Sequence, residues 1–185
     1  MKKIAAMLCA ILLLTGCSGN TDHLERAMDL RTKLLAQAVS FDAEITADYG
    51  DKTYTFSMHC ESDTKGDMTF TVTQPESIAG ISGTLSSTGG KLTFSDTALA
   101  FELMADDQLS PVSAPWILMK TLRSGYLTSC GQEGEILRIA IDDSYEDDAL
   151  HLDIWLDEKD LPFQAEISWQ GRRLLSVLVT NFTFL

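Results

Sequence analysis

The sequence predicts an α+β fold: a strongly curved antiparallel sheet, a half-barrel, covered by two helical segments. Most of the chain from residue 41 to residue 184 alternates apolar and polar residues, which is typical of strands with one buried face. Two segments instead repeat apolar residues every three or four positions, as amphipathic helices do. A sheet with one apolar face has to be covered, and two helices are the available cover, so we expect the sheet to curve around them.

The N-terminus has the pattern of a signal peptide. Lys2 and Lys3 precede a mostly apolar, uncharged run over residues 4–14, which is too short to cross a bilayer core of about 30 Å as a helix. The segment Leu14-Thr15-Gly16-Cys17 follows and resembles the bacterial lipobox, in which small residues precede a cysteine that receives a diacylglyceryl group. The alternative is an ordinary secretory signal that contains a cysteine by chance.

This pattern divides the chain into three parts. Residues 1–16 are the predicted signal peptide, residues 17–20 are the lipidated cysteine and a short tether, and residues 21–185 are one domain. Lipid on Cys17, with a palmitate chain among its acyl groups, would hold that domain at the cell membrane, on the extracytoplasmic side and close to the surface.

The charge of the chain restricts its partners. The formal net charge is −13, and removal of Lys2 and Lys3 with the signal peptide would reduce the 14 basic residues to 12 against 27 acidic ones. An acidic surface repels phosphate backbones and anionic lipid heads, so we expect no nucleic-acid partner and assign membrane attachment to the lipid. The same charge favours a basic protein partner.

The first half of the domain is expected to be one helix and a meander. Leu24, Ala27, Met28, Leu34 and Leu35 follow a helical period within residues 21–38. Strands are predicted near residues 41–49, 54–60, 68–72, 81–85, 92–94 and 99–103, with turns at Gly50-Asp51 and Gly89-Gly90.

The helical pattern returns once, before a second set of strands. Ser110-Pro111 and Ser113-Ala114-Pro115 are typical helix starts, and Trp116, Met119, Leu122 and Tyr126 form an apolar stripe. Strands are predicted near residues 135–142, 149–156, 163–169 and 172–184. The acidic segment 142–148 lacks the glycine-centred spacing of a calcium loop, so a solvated turn is the favoured interpretation.

Two cysteines remain in the domain once Cys9 leaves with the signal peptide and Cys17 is lipidated. In a compartment poor in thiols, Cys60 and Cys130 are candidates for a disulfide, and two separate buried thiols are the alternative. Metal binding is disfavoured because the two residues lie far apart in sequence and the whole chain has only three histidines.

Catalytic patterns are not found in the sequence, so we expect no enzyme activity, no cofactor and no metal. G-x-S-x-G, a Walker loop and H-E-x-x-H are all missing. His59 stands beside Cys60, but neighbouring residues of a strand point to opposite faces, so the pair should diverge. His151 is expected on the solvated face of its strand.

Several short phrases stand at the predicted element boundaries: Gln74-Pro75-Glu76-Ser77-Ile78-Ala79-Gly80-Ile81, Leu109-Ser110-Pro111, Trp155-Leu156-Asp157 with Leu161-Pro162, and Asn181-Phe182-Thr183-Phe184. With the element order, they resemble the lipoprotein-carrier (LolA/LolB-like) superfamily over roughly residues 21–185. The chain is also similar to small clostridial-type envelope lipoproteins of that fold, including spore-germination lipoproteins.

The resemblance implies an extracytoplasmic binding lipoprotein, and two kinds of ligand stay open. One is an envelope protein partner gripped by the sheet, which is the favoured hypothesis. The other is a lipid or lipoprotein acyl chain bound in the cavity between sheet and helices. An envelope hydrolase is a third and weaker hypothesis. Candidate cavity-lining side chains are those expected on the covered face: Phe41, Tyr54, Phe56, Met58, Phe70, Trp116, Met119 and Trp169.

Overall fold

A computed structural model describes residues 19–50, 52–94, 97–101, 104–105 and 108–185. The predicted signal peptide and Cys17 lie outside these residues, as does Leu103 of the predicted sixth strand. The helices are α1 (Gly19–Ala36) and α2 (Ala114–Ser124), and a 3-10 turn at Pro111–Ser113 precedes α2. Neither of these helices is long and apolar enough to cross a bilayer.

The described residues form thirteen strands: β1 (Val39–Asp48), β2 (Thr53–Ser62), β3 (Met68–Gln74), β4 (Ser82–Ser86), β5 (Gly89–Phe94), β6 (Thr97–Phe101), β7 (Met104–Ala105), β8 (Gln108–Leu109), β9 (Tyr126–Glu133), β10 (Ile136–Asp142), β11 (Leu150–Leu156), β12 (Pro162–Trp169) and β13 (Arg172–Phe184).

Eleven of these strands form one antiparallel sheet, in the order β6-β5-β4-β3-β2-β1-β13-β12-β11-β10-β9. Its two halves meet where the first strand pairs with the last, with Ala43 of β1 opposite Val179 of β13. The sheet is open, because β6 and β9 form its edges. The other two strands, β7 and β8, pair as a separate two-stranded sheet. One large antiparallel sheet with two helices confirms the predicted α+β class, and more of the chain is sheet than predicted.

One face of the sheet and the two helices share a continuous core. The burial of β1 alternates as the sequence predicts, with every second residue from Val39 to Ala47 buried. From α1, Ala27, Leu30 and Leu34 reach the core. Burial of a leucine-sized side chain contributes about 1.5–3 kcal/mol, so the helices are held mainly by this apolar face.

Two arginines fasten the helices to each other. Arg31 of α1 donates from Nε to the carbonyl of Leu122 at 2.8 Å and from Nη2 to the carbonyl of Gly125 at 2.9 Å. Arg123 of α2 donates from Nε to the carbonyl of Leu34 at 3.1 Å. The last carbonyls of a helix have no hydrogen-bond donor within the helix. Each helix therefore supplies an arginine that donates to carbonyls at the C-terminal end of the other helix.

Several boundaries differ from the sequence prediction. Gly89 and Gly90, predicted as a turn, begin β5 and pair with β4, and the turn lies at residues 87–88. The short strands β7 and β8 were not predicted. Helix α1 begins at Gly19, two residues before the predicted start at Thr21. Strand β9 was missed, and Tyr126, expected on the stripe of the second helix, begins it instead. Gly125 ends α2, and β9 is an edge strand with mostly exposed polar residues, so it lacks the alternation that marks the other strands.

Candidate functional site

The space between the sheet and α2 is filled by side chains. Most of the candidate cavity-lining residues belong to the single core cluster and are at most 9% exposed: Phe41, Phe56, Met58, Phe70, Trp116 and Met119. The covered face was therefore assigned correctly for these residues. They pack against one another and their neighbours, so they contribute to stability and fill the core. Trp116 also lines a small surface pocket at the edge of this core.

The remaining two candidates lie near strand ends and are less buried: Trp169 packs against the margin of the core, and Tyr54 lies outside it. Tyr54 is 52% exposed near the start of β2 and packs edge-on against Tyr49, with the ring centroids 6.0 Å apart. Trp169 is half-buried at the end of β12, and its Nε1 donates to the carbonyl of Asp148 at 3.1 Å. The correction has a simple cause: alternation assigns a face, but burial also requires an element above that face.

The structure contains no disulfide between the two candidate cysteines, which are both free thiols. Cys60 is buried on β2, between Phe41 of β1 and Phe70 of β3 in the strand register. Cys130 is half-buried on β9, and strands β1, β13, β12, β11 and β10 lie between β9 and β2 in the sheet. Burial raises the pKa of both thiols, so neither is an activated nucleophile.

His59 and Cys60 diverge as predicted, and the imidazole joins a polar network on the exposed face. His59 Nδ1 lies 2.7 Å from Asp42 Oδ1, and Asn181 Nδ2 donates to Asp42 Oδ2 at 2.7 Å. These hydrogen bonds lower the pKa of Asp42, that from Asn181 most strongly. Asn181 has a φ of 53° and lies in a bulge between β13 and β1, so the network joins three strands at an irregular point of the sheet.

The same network also places the Ser40 hydroxyl beside the imidazole, so that Ser40, His59 and Asp42 follow one another as the serine, histidine and aspartate of a catalytic triad would. Ser40 Oγ lies 3.4 Å from His59 Nε2, which is longer than an effective hydroxyl–imidazole hydrogen bond. His59 and Asp42 are both more than two-fifths exposed, on the face opposite the core. Because a solvated, loosely spaced set of this kind is a weak base-nucleophile pair, we interpret it as a structural network.

The acidic segment is a turn. Asp143 Oδ1 accepts a hydrogen bond from the backbone of Leu150 at 2.8 Å, and Asp142 lies 2.7 Å from Nδ1 of His151. Across the described ranges, no group of three or more His, Cys, Asp and Glu side chains is placed to hold a metal ion.

Sequence reasoning missed two surface features. The first is the exposed edge strand β6, where Leu99 is 64% exposed and the flanking alanines are also exposed. An open cleft of about 610 Å³ borders it, lined in part by Ala100, Phe101 and Gly90. A Cβ at Gly90 would collide with the ring of Phe101, so only glycine lets that ring lie across β5. The second is a smaller pocket beside Arg123.

Comparison with known proteins finds similar architectures and no close relative. No protein-family model matches the chain, and no curated protein matches it. An uncharacterized conserved protein from Thermus thermophilus is 12% identical with a TM-score of 0.48, over 88% of this chain and 87% of that one. A LolA superfamily protein from Nitrosomonas europaea is 8% identical with a TM-score of 0.46, over 86% of this chain and 93% of that one.

The lipoprotein LppX of Mycobacterium tuberculosis is 12% identical with a TM-score of 0.43, over 87% of this chain and 93% of that one. Chains this dissimilar can differ in ligand and partner, so the likeness assigns no activity to this chain. None of these three is a clostridial spore-germination lipoprotein, and that part of the resemblance stays a prediction.

Proposed function

We propose that this chain is a membrane-anchored, extracytoplasmic binding protein that holds a protein partner on its surface and has no catalytic role. The observation that supports this most is the closed core. An acyl chain bound between the sheet and the helices would need the volume now occupied by core side chains. Met58, Phe70 and Met119 are buried members of that core cluster. Opening that volume would remove core contacts that stabilise the domain, whereas surface binding requires no such change.

The edge strand β6 is the docking surface that we propose. Within the described residues, β6 pairs only with β5, so its outer edge presents backbone donors and acceptors to solvent. Leu99 and its alanine neighbours add apolar contact area, and among the described residues that line the adjacent cleft only Lys91 is charged. An uncharged apolar edge suits an extended segment of a partner protein that adds to the sheet as a further strand.

The anchor is the second part of the proposal. Helix α1 begins at Gly19, two positions after Cys17, so lipid on that cysteine would hold the domain near the membrane surface. The substitution Cys17→Ala tests this, because it removes the thiol that would be acylated. We expect the variant to lose labelling by radioactive palmitate and to be found either uncleaved or released from the membrane. Persistent labelling would contradict the assignment.

The docking proposal is tested with a photo-crosslinking amino acid at position 99 in cells that carry the native envelope. Position 178 is the matched control, because Leu178 is also an exposed leucine on a strand but lies in mid-sheet, between β1 and β12. We expect a discrete protein adduct from position 99 and none from position 178. Acyl lipid that co-purifies stoichiometrically with the protein, with no protein adduct from position 99, would instead support binding in the core.

A further inference from the structure

The C-terminal ends of the two helices border a pocket that is separate from the β6 edge. It has a volume of about 250 Å³ and opens between α1, α2 and the turn that joins β2 to β3. Its lining includes Leu35 of α1, Trp116, Lys120 and Arg123 of α2, and Lys65 of the turn. Trp116 Nε1 donates to the carbonyl of Gly66 in that turn at 2.9 Å, so the walls of the pocket are joined by the fold itself.

Arg123 is the unusual member of this lining. It is only 7% exposed, and beyond its bond to the carbonyl of Leu34 it donates from Nη1 to Ser62 Oγ at 2.8 Å. Its Nη2 is buried and has no hydrogen-bond partner among the described residues. Within the same residues, no carboxylate lies close enough to form an ion pair with Arg123. Burial lowers the pKa of Arg123, and the charge of the nearby Asp63 carboxylate offsets this only in part. A buried guanidinium with a free donor and no ion-paired carboxylate is costly unless an anion completes it.

The surrounding charge has the sign that such an anion needs. Lys65, Lys120 and Arg123 line the pocket against one carboxylate, that of Asp67, in a chain whose formal net charge is −13. Lys120 Nζ lies 5.5 Å from the centre of the Trp116 ring and forms a long ion pair with Asp143 Oδ2, at 3.8 Å. Lys65 is exposed and forms no ion pair with any described residue. A local cluster of cations on an otherwise acidic protein is a specific feature of this pocket.

We propose that this pocket binds a phosphate-type oxyanion. The planar guanidinium of Arg123 suits phosphate oxygens, the two lysines supply further positive charge, and the hydroxyls of Thr64 and Ser87 on the rim offer donors. Leu35 and Trp116 form an apolar wall beside these groups, which accommodates the organic part of a phosphate ester. The ligand is therefore a phosphate ester, either a soluble metabolite or the headgroup of an anionic lipid.

The first test uses the full chain and inorganic phosphate, followed by tryptophan fluorescence and calorimetry. Lys65→Gln is compared with Lys52→Gln, because both are exposed lysines in hairpin turns at opposite ends of β2. We expect Lys65→Gln to weaken phosphate binding about two- to fivefold, as the loss of one exposed charge does, and Lys52→Gln to leave it unchanged. Equal affinities in both variants, or no binding of phosphate to the unsubstituted chain, would overturn the proposal.

A second variant tests the buried arginine. Arg123→Lys keeps the charge but removes the planar fork, so we expect phosphate affinity to fall about tenfold. Because the substitution also breaks a bond to the carbonyl of Leu34, urea unfolding of the same variant is measured alongside. A variant that is folded at the assay temperature and binds phosphate as tightly as the unsubstituted chain would contradict the role of Arg123.

The two sources of the phosphate are separated with dihexanoyl phosphatidylglycerol below its micelle concentration. Tighter binding of this soluble lipid than of inorganic phosphate, weakened about two- to fivefold in Lys65→Gln, identifies a headgroup site. Equal or weaker binding identifies a soluble phosphate ester. Neither outcome depends on the β6 edge, so a failure of this inference is distinct from a failure of the docking proposal.

Discussion

The closed core can be tested by removing one of its side chains. Met119 is fully buried on α2, at 0% exposure, although the sequence also allowed it to line an open cavity. Met119→Ala removes three heavy atoms, which costs about 2 kcal/mol of lost burial, and the void left behind adds to this. For a packed site, the total is expected to be about 2–5 kcal/mol.

Thermal and urea unfolding measure this loss. For a chain of 185 residues, a change of 1 kcal/mol moves the midpoint by about 2–4 °C, so we expect Met119→Ala to lower the melting temperature by about 4–20 °C. The matched control is Met28→Ala, because Met28 is also a helical methionine but is 43% exposed on α1. The control is expected to change the free energy of unfolding by less than about 1 kcal/mol.

The difference in the free energy of unfolding between the two variants reports the burial of Met119, since helix propensity changes in the same direction in both. If Met119→Ala destabilised the protein no more than Met28→Ala, the side chain would border empty space, and our reasoning from the closed core would be refuted. An acyl-binding cavity would then be the better account of the interior.

Two further predictions concern the polar network and the thiols. Hydrogen bonds from Asn181 and His59 hold the pKa of Asp42 below its ordinary value, so the carboxylate stabilises the fold at neutral pH and this contribution is lost as the pH falls through the folded pKa. The stability difference between the unsubstituted chain and Asp42→Asn should therefore shrink below about pH 5, and a difference that grows on acidification would contradict it. Mass measurement under non-reducing conditions should find two free thiols, with Cys130 alkylated faster than the fully buried Cys60, whereas a disulfide would appear as a loss of both.

Local periodicity determined much of the fold from sequence alone. Alternation identified β1, β2 and β3, and it assigned Cys60 to the buried face and His59 to the exposed one. The prediction succeeded because, in a sheet with one buried face, every second residue of a strand points to that face and is apolar. The edge strand β9 was not predicted because most of its residues are exposed, so its sequence does not alternate between apolar and polar residues.

Contacts between residues far apart in the chain could not be predicted from local pattern. An α+β chain with one buried sheet face, two amphipathic helices and a net negative charge could be predicted from sequence, since these properties follow from local pattern and composition. The sequence did not determine that β1 pairs with β13, and so it could not show that five strands separate Cys60 from Cys130. Nor did it mark Arg123, whose partners are a backbone carbonyl of the other helix and a strand serine. A hydrogen bond to a backbone carbonyl requires no particular residue at the acceptor, so it leaves no pattern in the sequence, and only the packing of the two helices brings it into existence.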